Sequence, residues 1–583
     1  MNEDKLLKAL KAATSVEVSS RTDDAVLNAA REKAAQMRAA KSIAPRRRAM
    51  RIAAVAAALV LACGATLIAG RLGWLGPVSL FLSRSPDTGV QQEAAPAPQD
   101  LQRHGWESMS GSGGEIGGDV PANDEPYPMM FFRSYNENPS IDAEEEPASS
   151  FAADVDTGSY NIIRKYLSDG HLPPEKAVRT EELLNYFDYG YKPPQHDALA
   201  VYLEGAPSRF GTNENYYLLR IAVKAKEIPQ EKRKPANLVI LVDVSASMGE
   251  GDRIGLVRKS LRMMLDQLHP DDNIAIVTCG GGGATALKAT PVTGNDAIIH
   301  ALEALVPEGA PDTTNLESGL QLAYELSDEM FDKDRINRII LCSDGIANDG
   351  ATGPMSLLET VVKSTRKGIC LSAIGFGIGN YNDFLMEQLA DRADGNYAYI
   401  DTPEEAKRVF ADNLTGLLQI AARDMRINVD FNPAVVKSYR LMGYENRRIG
   451  EKGGEGLDGG EIGAGQSMTA LYEIKFQKDA EKGLAASIAV EYADPDSGEQ
   501  GSVVKEISRE DFGDFFENAS TEFRLAAAVA EFAEILRKSM YAENSKFSAV
   551  LPLVHNLLKG HEADEAITEF LSLISQANTI SQP

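Results

Sequence analysis

Two short stretches, far apart in the chain, supply side chains suited to a hard cation. Asp243-Val244-Ser245-Ala246-Ser247 closes one apolar run and Ser343-Asp344-Gly345 closes another. Alternate residues of an extended segment project to one side, so Asp243, Ser245 and Ser247 converge. Between the two stretches lies Asp312-Thr313-Thr314-Asn315, at the start of an expected helix. The set offers two carboxylates and three hydroxyls. Oxygen ligands of this kind suit Mg²⁺, with Mn²⁺ or Ca²⁺ also fitting, and do not suit zinc, which prefers nitrogen and sulfur. Hydroxyl-rich ligation leaves a divalent ion under-neutralised, so it still attracts an anion. An Asp or Glu carboxylate from a partner protein can take that position, and the chemistry expected is ion-bridged protein recognition. No general base can be placed beside the ion from the sequence, which ranks a metal-dependent hydrolase last.

Other constellations carry less. Gly280–Gly283 is a glycine run without the Lys-Ser/Thr of a phosphate loop. The seven histidines show neither metal spacing nor a nucleophile-elbow partner. Asp154 and Asp156 in ADVDTGSY read first as a strand-edge turn, with a second cation site as the minor alternative. Cys279, Cys342 and Cys370 sit in or beside apolar runs and read as buried thiols.

The elements that must position these residues follow from periodicity. Short, nearly continuous apolar runs at 237–245, 273–280, 337–345, 370–378 and 396–400 predict parallel strands buried on both faces. Amphipathic stretches at 253–268, 295–305, 315–330, 355–367, 381–391 and 403–419 predict helices between or after them. This alternation predicts an α/β fold with a doubly wound, Rossmann-like sheet, whose ligand site lies beyond the carboxyl ends of the strands. Residues 129–235 mix strand and helix patterns as an α+β lead-in. Residues 424–507 predict antiparallel strands around a Gly-rich loop at 450–465, and 517–583 is largely helical.

The segment 236–420 resembles a von Willebrand factor A domain with a metal-ion-dependent adhesion site. That family carries D-x-S-x-S, then a Thr, then an Asp in a [TS]-D-G turn. Asp243, Ser245 and Ser247 match the first motif, and Asp344 matches the last. Thr314 matches the Thr because it stands five residues before Gly319, with Thr313 as the alternative. Ala246 replaces the family's usual Gly between the serines, at a position that holds no ligand. The resemblance implies that Ser245, Ser247 and Thr314 coordinate directly, while Asp243 and Asp344 act largely through bound waters. The flanks, including FAADVDTGSYNIIRKYLSDG, GYENRR and STEFRLAAAVAEFAEILRKS, resemble bacterial envelope proteins of the YfbK type over roughly residues 130–575.

Charge divides the chain. Its 583 residues carry a net charge of −26, which disfavours nucleic acid as a partner. Residues 1–51 hold twelve Lys/Arg against six Asp/Glu, a basic helical segment in an otherwise acidic chain. Ile52–Gly70 follows, nineteen residues without a charge. As a helix it would extend about 28 Å, enough to cross a bilayer core. Arg46, Arg47, Arg48 and Arg51 precede it, so the positive-inside rule places the N-terminus in the cytoplasm and the main domains outside. Cys63 reads as a membrane-helix residue, with a lipoprotein site as the alternative. Residues 85–128 are rich in Pro, Gly, Ser and acids and predict a disordered linker. The expectation is a single-pass envelope protein that binds partners through a divalent ion and is not an enzyme. A transmembrane regulator, coupling external binding to a cytoplasmic factor, is the runner-up.

Overall fold

The computed structural model describes residues 130–132, 137–210, 216–308, 314–345, 357, 368–377, 381–444, 459–559 and 564–582. The expected basic segment 1–51, membrane helix 52–70 and linker 85–128 lie outside the described residues, as do Cys63, Asp312, Thr313 and nearly all of the expected helix 355–367. Among the described residues no helix is long and apolar enough to cross a membrane.

The lead-in supplies β1 (Ala148–Ala152), α1 (Gly158–Ser168), α2 (Thr180–Tyr186), β2 (Leu199–Pro207) and β3 (Tyr216–Ala225). The α/β unit follows with β4 (Ala236–Asp243), α3 (Arg253–Leu265), β5 (Asn273–Cys279), β6 (Gly283–Pro291), α4 (Asn295–Glu303) and α5 (Leu316–Met330). It continues through β7 (Ile336–Ser343), β8 (Cys370–Phe376), α6 (Asp383–Asp391) and β9 (Tyr397–Ile400). The sheet order is β9-β8-β7-β4-β5-β6, parallel except for β6. Alternation along β4 explains why its whole length is apolar. Val239 and Leu241 face a core with Leu316, Leu320 and Leu385, whereas Leu238, Ile240 and Val242 face another with Ile254, Val257 and Leu261.

Two expectations change. β6 is not among the expected strands because GATALKATP contains few large apolar residues, yet it pairs antiparallel with β5 at the sheet edge. The single helix expected over 403–419 is instead broken into Pro403–Lys407, a π turn at Arg408–Asp412, and Leu414–Leu418. The break falls at Asn413, whose φ of −111° leaves the helical region.

The C-terminal part contributes β10 (Ile420–Phe431), β11 (Val436–Met442), β12 (Gly460–Gly463), β13 (Ser467–Phe476), β14 (Leu484–Ala493) and β15 (Gln500–Ser508). Three helices follow, α7 (Thr521–Leu536), α8 (Phe547–Leu558) and α9 (Glu565–Ile580). The strands form two sheets, and both recruit the lead-in. β3 pairs with β13 from Lys224↔Ser467 to Tyr216↔Lys475, and β1 pairs with β10. Phe151, Ile221 and Val223 from before the α/β unit share one core with Ile427, Tyr472 and Ile488 from after it. The terminal helices pack on α1 and α2 through Tyr160, Leu183, Phe187, Phe532 and Phe570. The α/β unit is thus inserted into a fold made by its own two flanks.

Deleting residues 137–235 would strip β13 of the partner it has along nearly its whole length and expose its ladder groups. Size-exclusion chromatography should find that truncated chain as aggregates. Monomeric elution would contradict the shared-sheet arrangement.

Candidate metal-ion site

Asp243 is the last residue of β4, level with Cys279 at the end of β5. Beyond it the chain turns away, held by the Val244 N–H donating to Cys279 O at 2.7 Å. The Ser245 N–H then donates to Asp243 Oδ1 at 2.8 Å, closing a turn that sets the two serines beside the carboxylate. Ser245 Oγ and Ser247 Oγ lie 3.0 Å apart. From the next strand, the Ser343 hydroxyl donates to Asp243 Oδ2 at 2.8 Å and accepts from the Gly345 N–H at 2.9 Å. Gly345 has φ +76°, and a Cβ there would stand 2.8 Å from Asn382 O, so only glycine suits this turn. Asp344 between them is fully buried, and Arg253 Nη1 donates to its Oδ2 at 3.0 Å. The same nitrogen donates to Ser247 O at 3.2 Å, tying the two motifs together.

Thr314 is buried at the start of α5. The next residue anchors that start twice. The Asn315 N–H donates to Gly280 O at 2.7 Å, and Asn315 Oδ1 caps the helix by accepting from the Ser318 N–H at 2.9 Å. Close approach of α5 to the sheet requires Gly319, since a Cβ there would lie 2.6 Å from Cys279 Cβ. The structure therefore brings Asp243, Ser245, Ser247 and Asp344 into one hydrogen-bonded group with Ser343 and Arg253, and seats Thr314 on the adjoining helix start.

Burial raises the Asp243 carboxyl above its usual range, opposed by the hydrogen bonds from Ser245 and Ser343 and by the Arg253 charge. Burial, then the charges of Asp243 and Asp344, push the Cys279 thiol up, so it is an inert core thiol. The donor set of carboxylates and hydroxyls fits a hard divalent ion. Among the described residues no group of three or more His, Cys, Asp or Glu is arranged to hold a metal, and the oxygens gathered here come from carboxylates and hydroxyls together.

Two residues of this group were not singled out from sequence. Ser343 stood in the quoted turn without a role. Arg253 had a signal of its own, a cation at the first position of a helix, where the backbone dipole disfavours positive charge.

Asp154 and Asp156 belong elsewhere, beside a cavity of about 330 Å³ that Arg179, Glu387, Asp391 and Glu461 also line. Asp154 Oδ1 accepts from the Asp156 N–H at 2.7 Å, and Asp156 Oδ1 accepts from the Tyr397 N–H at 2.8 Å. Asp154 thus closes a side-chain turn just after β1, and the Asp156 bond fastens the lead-in to β9. Arg179 extends the junction by donating to Glu182 and to Asp383, the latter through Nη1 at 2.5 Å. Burial raises Asp154 to about 7, with the Glu182 charge adding to it.

The fold and site define a von Willebrand factor type A domain protein. The family model of that description matches residues 238–346, a second described as "von Willebrand factor" matches 128–220, and the YfbK C-terminal model matches 416–580. The YfbK protein of Escherichia coli, described as uncharacterized, is 34% identical over 478 residues, covering 77% of this chain and 81% of that one. The chain belongs to the YfbK family. Protein sll0103 of Synechocystis is 25% identical over 48% of this chain and 67% of its own. Inter-alpha-trypsin inhibitor heavy chain H3 of Rattus norvegicus is 26% identical over 34% of this chain, which spans 22% of that protein. Among solved structures, a von Willebrand factor type A protein from Catenulispora acidiphila aligns with 66% of this chain and 90% of its own at 14% identity and a TM-score of 0.40.

Two predictions follow from this geometry. Ser343→Ala removes both the donor to Asp243 and the acceptor for Gly345, so it should cost about 1–3 kcal/mol in urea unfolding; a loss below about 0.5 kcal/mol would contradict the bonding described. For Asp154, a carboxyl raised above its unfolded value stabilises the fold at low pH and loses that contribution as pH climbs through about 7. Asp154→Asn should therefore raise the melting temperature by about 2 °C more at pH 8 than at pH 5, the gain beginning above the unfolded value of 3.8. Equal effects at both values would contradict the assignment.

Proposed function

We propose that this protein is a membrane-anchored envelope protein that binds partner proteins through a divalent cation, Mg²⁺ in the first instance. The observation that carries the reading is the pairing of two buried carboxylates with the Ser245 and Ser247 hydroxyls at the carboxyl end of β4 and β7. A bound ion would supply a Lewis-acidic position open to one further oxygen ligand. Ser245, Ser247 and Thr314 would offer hydroxyl oxygens to it, and Asp243 and Asp344 would offer charge. Asp243 is held in place for this by two donors, the Ser245 N–H and the Ser343 hydroxyl. A partner's Asp or Glu would complete the shell, giving recognition without turnover. The Ile52–Gly70 run, with its preceding arginines, supports an anchor with the binding head on the outer side.

The test is crosslinking of partners from intact membranes with and without EDTA. Capture should require the divalent ion and should vanish in Asp243→Ala. Capture that survives both treatments would overturn the reading.

A further inference from the structure

Arg253 lies inside the candidate ion site and carries a full charge there. It is the first residue of α3, 7% exposed, and follows Gly251 and Asp252, both with positive φ. The fold makes room for it at some cost. Its shaft fills the space beside Gly377, where a Cβ would stand 2.0 Å from Nε. Its guanidinium reaches Asp344 Oδ2 at 3.0 Å and Ser247 O at 3.2 Å. Glu250, 3.5 Å from Nη2, has a side chain 70% exposed, and water screens most of its effect.

Counting formal charges decides what this cation does. The formal charges of Asp243 and Asp344 would only balance that of a divalent ion in sum, since both would act largely through waters and leave the ion itself under-neutralised. With Arg253 included, these three described groups and the ion would together keep one net positive charge. The same guanidinium therefore repels the incoming cation and attracts an incoming carboxylate.

We propose that Arg253 sets the ligand preference of the site, weakening its hold on the bare ion and strengthening its hold on an anionic ligand. This rests on the ion-site reading above. The two effects have opposite signs, and a residue that only braced the fold would move both affinities the same way.

The experiment uses the full chain and Mn²⁺ as the probe, followed by water proton relaxation, with acetate as the carboxylate. Removing one charge at this range changes affinity by at least about tenfold, the change expected at nearly full solvent screening. Arg253→Gln should bind Mn²⁺ at least about tenfold more tightly, and its Mn²⁺-loaded form should bind acetate at least about tenfold more weakly. Arg253→Lys retains the charge and should leave both affinities within about threefold of wild type. Parallel loss of both affinities in Arg253→Gln, or no change in either, overturns the proposal. Should that variant fail to fold by circular dichroism, a tenfold change in Arg253→Lys overturns it instead. Wild-type protein that lacks saturable Mn²⁺ binding, or keeps it in Asp243→Ala, overturns the ion site itself.

Discussion

A carboxylate with no exposure to water, at the end of a central strand, is the constraint around which the α/β unit is organised. Burying Asp243 in ionised form is unfavourable unless hydrogen-bond donors surround it. The donors come from elsewhere in the chain. One is the Ser245 N–H in the turn just beyond, and another is the Ser343 hydroxyl, a hundred residues away on the neighbouring strand. Each requires its strand to end at the right level, which the register Val242↔Cys342 between β4 and β7 provides. Asp344, equally buried, draws in Arg253 from the opening of α3. The apolar layers on both faces of the sheet hold those strand ends in place. A site like this is electrostatically tense and mechanically rigid, a combination suited to binding an ion.

Much of this was legible in the sequence because it is local. The five parallel strands announced themselves as apolar runs, and Asp243, Ser245 and Ser247 lie within five residues of one another. Thr314 required the spacing to Gly319, whose physical basis is its contact with Cys279. What stayed hidden depends on long-range pairing. Nothing in ASSFA or YYLLRIAVKA says that a partner lies beyond the α/β unit, since a strand's pattern reports which face is buried and not which strand sits beside it. β6 was missed because small residues at a sheet edge carry almost no hydropathy signal. Arg253 was passed over because its partner is 91 residues away.

The junction between the inserted unit and its flanks is polar where the cores are apolar. Asp156 receives the Tyr397 N–H, Arg179 reaches Asp383, and Arg164 pairs with Asp401 through Nη2 at 2.5 Å. Arg164 also meets Glu569 on α9 at 2.9 Å, so one guanidinium joins α1, the end of β9 and the last helix. Directional bonds of this kind fix an orientation more strictly than an apolar contact does. The unit is therefore attached at β9 and α6 as well as through the connections at its two ends.

Those two connections lie side by side, with the Lys234 N–H donating to Gln419 Oε1 at 3.1 Å just before β4 begins. Asp243 stands at the opposite end of the same strand. A pull applied at Asp243 and resisted by the flanks therefore runs lengthwise along β4, between two parallel neighbours. Slanted inter-strand bonds on both sides then share that load in shear and do not open one at a time. As a mechanical element, the unit is a rod gripped at one end and loaded at the other, with its most extensively paired strand along the line of force.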